Sequence, residues 1–189
     1  MRNADYLLAQ STGSAGLVKE KHNPQSAIDM TYDSQQHSPD WTVHRVGQGI
    51  LVEEGRVLLS GNRWYSGKPL VWTLPGGRAE EGEGISDALV REFREETGLL
   101  VEAGDLAYVA ESRSEVRRQI FLVCAFVVRR REGTLSCEGD QGVEELRFVP
   151  TTEIGEYMPS PSIGGPLRRY FEHPGEGARY WFFPEYTSS

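Results

Sequence analysis

Residues 77–99 read GRAEEGEGISDALVREFREETGL, and the spacing within this stretch decides how the rest of the chain is interpreted. Immediately before it, the apolar run at residues 72–74 stops at Pro75 and two glycines, which is typical of a strand that ends in a turn. Residues 78–82 are polar and flanked by glycine, which favours a loop. The stretch therefore predicts a strand, a turn and a loop in that order.

A helix is expected to follow the loop. Gly84 is an acceptable N-cap and Gly98 is placed to stop the helix. On a helical wheel with about 100° per residue, one apolar stripe faces the core. Its members are Ile85, Ala88, Leu89 and Phe93.

Two carboxylates fall inside this apolar stripe. Glu92 lies at about 340° and Glu96 at about 20° from Ile85, whereas Glu95 lies at the edge, near about 280°. Carboxylates on the buried side of a helix are costly unless a positive group is paired with them. A divalent cation would remove that cost, and carboxylate oxygens suit Mg²⁺ or Mn²⁺. The alternative is a charged, solvated helix surface, which is the usual nature of Glu-rich helical runs.

The whole stretch resembles the Nudix box, G-x5-E-x7-R-E-U-x-E-E-x-G-U, in which U is a bulky apolar residue. Gly77, Glu83, the run from Arg91 to Glu96, Gly98 and Leu99 fill every defined position. The resemblance implies the Nudix fold, an α/β (α+β mixed) domain whose mixed sheet lies between helices and whose box forms a loop-helix-loop. It also implies an enzyme that uses Mg²⁺ or Mn²⁺ to hydrolyse the diphosphate linkage of a nucleoside diphosphate derivative.

The same resemblance assigns roles to residues. Metal binding falls to Glu92, Glu95, Glu96 and the backbone carbonyl of Gly76. Either Glu95 or Glu96 is the candidate for the catalytic carboxylate that takes a proton from water. Glu83 and Arg91 match positions that brace the loop against the helix, so their catalytic contribution is expected to be orientation.

Candidates outside the box rest on residue type alone. Glu144 and Glu145, with Glu115 behind them, could supply a further acid, although an exposed loop acid is an equal interpretation. The basic candidates for substrate phosphates are Arg63, Arg78 and Arg117, followed by Lys68, Arg113 and Arg118. The aromatic candidates for stacking a base are Trp64, Tyr65, Tyr108 and Trp181, for which ordinary packing is the alternative.

Composition excludes several classes. The chain has 189 residues, 38% of them hydrophobic, and a net charge of -8, which favours one soluble domain. A long phosphate polymer needs a basic surface, so a nucleic-acid partner is disfavoured while a small nucleotide substrate is not. No signal peptide or membrane span is expected. Cys124 and Cys137 are interpreted as free thiols in a reducing compartment, and hence the protein as cytoplasmic.

Along the chain, three parts are expected: residues 1–40 as a flexible or dimer arm, 41–175 as the Nudix hydrolase domain, and 176–189 as an aromatic tail. The local patterns predict a hairpin of residues 42–53 with 56–59, strands at 106–112, 119–129 and 145–149, and an aromatic strand or clamp at 179–183. A second helix is expected at residues 165–172, opened by Pro166. Gly47 and Gly49 suggest a bulge or a close backbone approach to a ligand.

The substrate stays open at this point. ADP-ribose or another sugar nucleotide, a nucleoside triphosphate and a dinucleoside polyphosphate are all compatible with the sequence. The alternatives to such an enzyme are a nucleotide-binding regulatory module on the same scaffold and an RNA 5′-end pyrophosphohydrolase. A homodimer formed through either end of the chain is a further hypothesis.

Overall fold

The computed structural model describes residues 41–64, 66–138 and 142–184. The predicted arm at residues 1–40 and Tyr65 lie outside these ranges. Within them, no helix is long and apolar enough to cross a membrane. The division of the chain at residue 175 stays a prediction.

Strands dominate the described residues. They are β1 (Thr42–Ile50), β2 (Val52–Glu53), β3 (Arg56–Asn62), β4 (Val71–Thr73), β5 (Gly76–Arg78), β6 (Leu99–Ser114), β7 (Gln119–Gly133), β8 (Val143–Pro150) and β9 (Arg179–Phe183). The helices are α1 (Ile85–Thr97), α2 (Ile154–Tyr157), which follows a 3-10 turn at Thr151–Glu153, and α3 (Pro161–Glu172). Helix α1 follows a loop at residues 79–84, as predicted for the box, but β6 begins directly after Gly98, so the predicted second loop is absent from this described part of the chain.

The strands form two sheets. The larger has the order β5-β1-β7-β6-β9, with parallel β1–β7 and β6–β9 pairs and antiparallel pairs elsewhere. In the smaller, β3 pairs with β2, β4 and β8, always antiparallel. Helix α1 packs on one face of the larger sheet, and α3 contributes Leu167 to a core on the other. The predicted mixed α+β architecture with a mixed sheet between helices is confirmed.

Helix α1 follows the sequence signals closely. It begins after Gly84 and ends at Gly98, whose φ of 71° is the left-handed conformation that glycine adopts without strain. Leu89 and Phe93 are fully buried in the core that α1 shares with β6 and β7. This packing fixes which side of the helix faces the sheet.

Gly47 and Gly49 allow α1 to approach β1. A Cβ atom at Gly47 would lie 2.4 Å from the carbonyl oxygen of Ile85, and one at Gly49 would lie 2.7 Å from the Phe93 ring. The predicted close approach is therefore confirmed, but it is made to the helix and not to a ligand.

Three local expectations differ from the structure. Gly76–Arg78 form the short strand β5 where a turn and the start of a loop were predicted, because they pair with the distant strand β1, which local turn signals do not indicate. The second helix begins at Pro161, where a first-turn proline loses no hydrogen bond, and Pro166 lies inside the helix, buried against the core. The predicted hairpin is confined to β2 and β3, where Val52 pairs with Val57, because β1 pairs with β5 and β7 instead. Sequence periodicity could not distinguish these partners, since each would bury the same apolar positions.

The cysteines and the aromatic tail behave as expected. Cys124 and Cys137 are both free, and burial raises the pKa of the Cys124 thiol. The segment at residues 179–183 is the edge strand β9, paired parallel with β6.

Candidate active site

Glu95 is more exposed than the two carboxylates inside the apolar stripe, as the helical wheel predicts. Glu96 is buried, with 9% of its surface exposed, because it lies on the side of α1 that packs on the sheet. The side chain of Glu92 is 21% exposed, whereas that of Glu95, at the edge of the stripe, is 52% exposed. Glu96 and Glu92 are thus held within the fold, while Glu95 reaches solvent.

Arg91 joins three carboxylates. Its guanidinium donates to both oxygens of Glu83 at 2.9 Å, and its Nη1 lies 3.0 Å from Glu92 and 3.3 Å from Glu95. Its Nη2 also donates to the carbonyl of Arg78 at 3.2 Å. The predicted bracing of the loop against the helix is what these contacts provide.

The contacts between Glu83 and Arg91 shift the pKa values of both groups. The hydrogen bond from Arg91, followed by that from the Glu80 N–H, lowers the pKa of the Glu83 carboxyl from 4.5 to about 2. The same pairing raises the pKa of Arg91, although partial burial opposes the shift. Glu83 is therefore ionised throughout the neutral pH range, and it holds Arg91 in place rather than exchanging protons.

Two glycines of β5 lie directly against the carboxylates. The N–H of Gly76 donates to Glu96 Oε2 at 3.0 Å. A Cβ atom at Gly77 would lie 2.5 Å from the carboxyl carbon of Glu92. Since any side chain at Gly77 would displace that carboxylate, the requirement for glycine at this position of the box has a steric cause.

The donor set around Arg91 fits a hard divalent cation. Glu83, Glu92 and Glu95 contact a single guanidinium, and Arg45 adds one further positive charge near Glu83, so the carboxylates outnumber the guanidinium groups. In residues 41–64, 66–138 and 142–184, no three acidic, histidine or cysteine side chains already converge in a metal-ligating arrangement.

The predicted extra acids are bound to arginines of their own. Both oxygens of Glu144 accept hydrogen bonds from Arg63, at 2.7 and 2.6 Å, and this pairing lowers the pKa of Glu144. One oxygen of Glu145 accepts a hydrogen bond from Arg147. Glu115 lies in the turn between β6 and β7. The structure brings none of these acids into the contacts around Arg91.

The predicted phosphate-binding residues are dispersed. The Arg63 guanidinium is occupied by Glu144 and by the carbonyl of Lys68. Arg113 pairs with Glu111 and lies over the Phe182 ring, and Arg117 is exposed in the turn after β6. Arg78 remains adjacent to the box, with its guanidinium 5.5 Å from the Phe121 ring centroid.

The aromatic residues proposed to stack a base lie in different parts of the structure. Tyr108 belongs to the core, with 3% exposure, and its predicted role in stacking a base is not supported. Trp181 packs partly buried against the same core, and Trp64 is exposed. Single aromatic residues carry no positional signal, so residue type could not tell core packing from a ligand surface.

Sequence reasoning missed Arg45 on β1. Its Nη1 donates to the carbonyl of Glu83 at 3.1 Å and its Nη2 to that of Glu80 at 2.9 Å, which connects β1 to the loop of the box. The available signal was its alternation with Gly47 and Gly49, which places the three residues on one face of the strand.

Comparison with known proteins identifies the family. The chain matches the NUDIX domain over residues 43–182. It belongs to the Nudix family. A CTP pyrophosphohydrolase of Escherichia coli is 34% identical over 94 residues, which are 50% of this chain and 68% of that protein. This Nudix chain is accordingly a hydrolase, as predicted from the box.

Two further relatives bear on substrate and fold. An RNA pyrophosphohydrolase of Agrobacterium fabrum is 43% identical over 60 residues, 29% of this chain and 35% of that protein. The solution structure of the E. coli ORF135 protein superposes with a TM-score of 0.61 at 26% identity, covering 72% of this chain and 96% of that one. The Nudix fold is thereby confirmed, while the relatives differ in the substrate that their names give.

Proposed function

We propose that this chain is a pyrophosphohydrolase that uses Mg²⁺ or Mn²⁺ to cleave the diphosphate linkage of a small nucleotide. The observation that carries the proposal is the sharing of one guanidinium by Glu83, Glu92 and Glu95, beside the buried Glu96. Such an excess of fixed negative charge is stabilised by a bound cation.

We assign the cation to the carboxylates of Glu92, Glu95 and Glu96, with the backbone carbonyl of Gly76 as a further oxygen donor. When bound there, a divalent cation neutralises phosphate charge and eases attack by water on phosphorus. Glu92 and Glu96 suit the role of fixed ligands because Arg91 contacts the first at 3.0 Å and the N–H of Gly76 donates to the second.

Glu95 is the better candidate for the base. Its side chain is half exposed, so it can take a proton from the attacking water and release it to solvent. In the reaction, the water oxygen bonds to phosphorus as the bridging P–O bond breaks, and the departing phosphate carries away the bond electrons. Glu83 and Arg91 contribute by fixing the position of the loop relative to the helix.

A nucleoside triphosphate is the first substrate to test, since a relative is named for CTP hydrolysis. ADP-ribose, another sugar nucleotide and a dinucleoside polyphosphate remain the other small candidates. The RNA alternative is favoured by the similarity to an RNA pyrophosphohydrolase and opposed by the net charge of -8. A regulatory module is disfavoured because every acid of the box is retained.

The test is a hydrolysis panel with Mg²⁺ and with Mn²⁺, covering nucleoside triphosphates, ADP-ribose, diadenosine polyphosphates and a 5′-triphosphorylated oligoribonucleotide. Glu96→Gln is the inactivating variant, and Glu156→Gln, on the exposed side of α2, is its matched control. Metal-dependent turnover that only Glu96→Gln abolishes is the expected result. Nucleotide binding without turnover on any substrate would favour the regulatory module instead.

Cytoplasmic location and homodimer formation stay predictions. The second is tested by the mass of the full chain in light scattering, for which a dimer is twice 21.2 kDa.

A further inference from the structure

Arg45 holds the loop of the box at three points. Besides the two hydrogen bonds from its guanidinium to the carbonyls of Glu80 and Glu83, its own carbonyl accepts from the N–H of Ala79 at 2.8 Å. The loop residues that it contacts are 34 to 38 positions further along the chain. One residue of β1 therefore fixes both ends of the loop that precedes α1.

The same face of β1 also fixes the helix. Gly47 lies under the first turn of α1, beside the carbonyl of Ile85 and the Cβ of Leu89, and Gly49 lies under Phe93. Residues 45, 47 and 49 alternate along the strand and so share one face. The large side chain at Arg45 reaches the loop, whereas the two glycines let the helix rest on the backbone.

Hydrogen bonds connect the loop to the carboxylates of α1. Glu83 Oε2 accepts from the N–H of Glu80 at 2.8 Å, and the Glu83 N–H donates to the carbonyl of Glu80 at 3.2 Å. Glu83 then holds Arg91, which contacts Glu92 and Glu95. The contacts run without interruption from Arg45 to two of the proposed metal ligands.

We propose that Arg45 is a positioning residue of the hydrolytic reaction: by binding the carbonyls of Glu80 and Glu83, it sets the position of Glu83 and, through Arg91, of Glu92 and Glu95. The proposal rests on the proposed function. A guanidinium is needed because its planar fork binds two acceptors in fixed geometry, whereas an ammonium acts as a single point charge. Displacement of a catalytic group by about 1 Å can reduce a rate about a hundredfold.

The experiment compares Arg45→Met and Arg45→Lys with Arg130→Met. Arg130 is a suitable control because its guanidinium also donates to a carbonyl, that of Gly133, at the far end of β7. We expect Arg45→Met to lower kcat about ten- to a hundredfold with KM within about twofold. Arg45→Lys should recover part of that loss, and Arg130→Met should leave kcat unchanged.

Two further readouts separate positioning from general stability. In hydrogen exchange, the amides of Ala79, Glu80 and Glu83 should exchange faster in Arg45→Met, while those of β7 keep the wild-type rate. The kcat losses of Arg45→Met and Glu83→Gln should combine less than additively, because both act through one set of contacts.

An unchanged kcat in Arg45→Met, additive losses in the double variant, or exchange that rises throughout the domain would overturn the proposal. If the wild-type chain turns over no substrate, the proposed function fails. The exchange of the loop amides still decides whether Arg45 fixes the loop: protection equal to the wild type would then overturn the positioning role.

Discussion

Two groups of glutamates in this protein differ in how many carboxylates each arginine serves. Around Arg91, three carboxylates share one guanidinium, whereas on β8 Glu144 pairs with Arg63 and Glu145 with Arg147. A pair that is already neutral gains little from a bound cation, whereas a group with surplus negative charge gains much. The ratio of acids to arginines therefore distinguishes the candidate metal site from a surface ion pair.

The largest expected effect on activity is in a comparison of Glu96, a proposed metal ligand, with the two acids of β8. Glu96→Gln should lower kcat by about 10²–10⁴-fold, because it removes a charge from the site while keeping the shape of the side chain. Glu144→Gln and Glu145→Gln should change kcat by less than about twofold. Steady-state kinetics with saturating Mg²⁺ measures all three. A loss in Glu144→Gln as large as that in Glu96→Gln would place the extra acid in the site after all.

A steric change should act on the same site without removing a charge. Gly77→Ala places a methyl group against the Glu92 carboxylate, so we expect kcat to fall by about tenfold or more. Gly165→Ala is the control: it lies in α3 with nothing within 4 Å of the added Cβ, and alanine favours the helix. Equal kcat in the two variants would show that the position of Glu92 is not critical.

Removing the Arg91 guanidinium should lower the stability of the fold, and Mg²⁺ should restore part of the loss. Arg91→Met leaves three carboxylates without their guanidinium, and we expect a loss of about 1–2 kcal/mol in the free energy of unfolding. Mg²⁺ should raise the Tm of this variant more than that of the wild type, because the cation then neutralises the same carboxylates. Thermal unfolding with and without Mg²⁺ tests this, and an identical Mg²⁺ response in both proteins would contradict it.

The smallest expected effect is on the acid side of the stability curve. Because Arg91 and the Glu80 N–H lower the folded-state pKa of Glu83 to about 2, its contribution is complete above about pH 4.5 and is lost as the pH falls towards 2. The urea midpoints of the wild type and of Glu83→Gln should therefore converge between pH 5 and pH 2. A constant difference over that interval would mean that Glu83 is not held by Arg91.

The sequence predicted α1 and its burial well because these depend on short-range signals. Gly84 and Gly98 bound the helix, and the wheel correctly placed Glu95 as more exposed than Glu92 and Glu96. These features need only the 3.6-residue period of one helix.

Contacts between distant segments could not be predicted in the same way. Arg63 and Glu144 were proposed separately for phosphate binding and catalysis, yet they bind each other across 81 positions of sequence. The division into two sheets and the contact of Arg45 with the loop also depend on strand pairing, which residue periodicity does not specify. The loop before Glu83 and the strand containing Arg45 were therefore both predicted, but the contact between them was not.

Binding of Mn²⁺ followed by electron paramagnetic resonance tests the central claim most directly, because it needs neither a substrate nor turnover. The expected result is a site in the wild-type chain whose affinity falls by about tenfold or more in Glu92→Gln and in Glu96→Gln, but not in Glu144→Gln. Equal Mn²⁺ affinity in all four proteins would contradict the assignment of the metal to Glu92, Glu95 and Glu96.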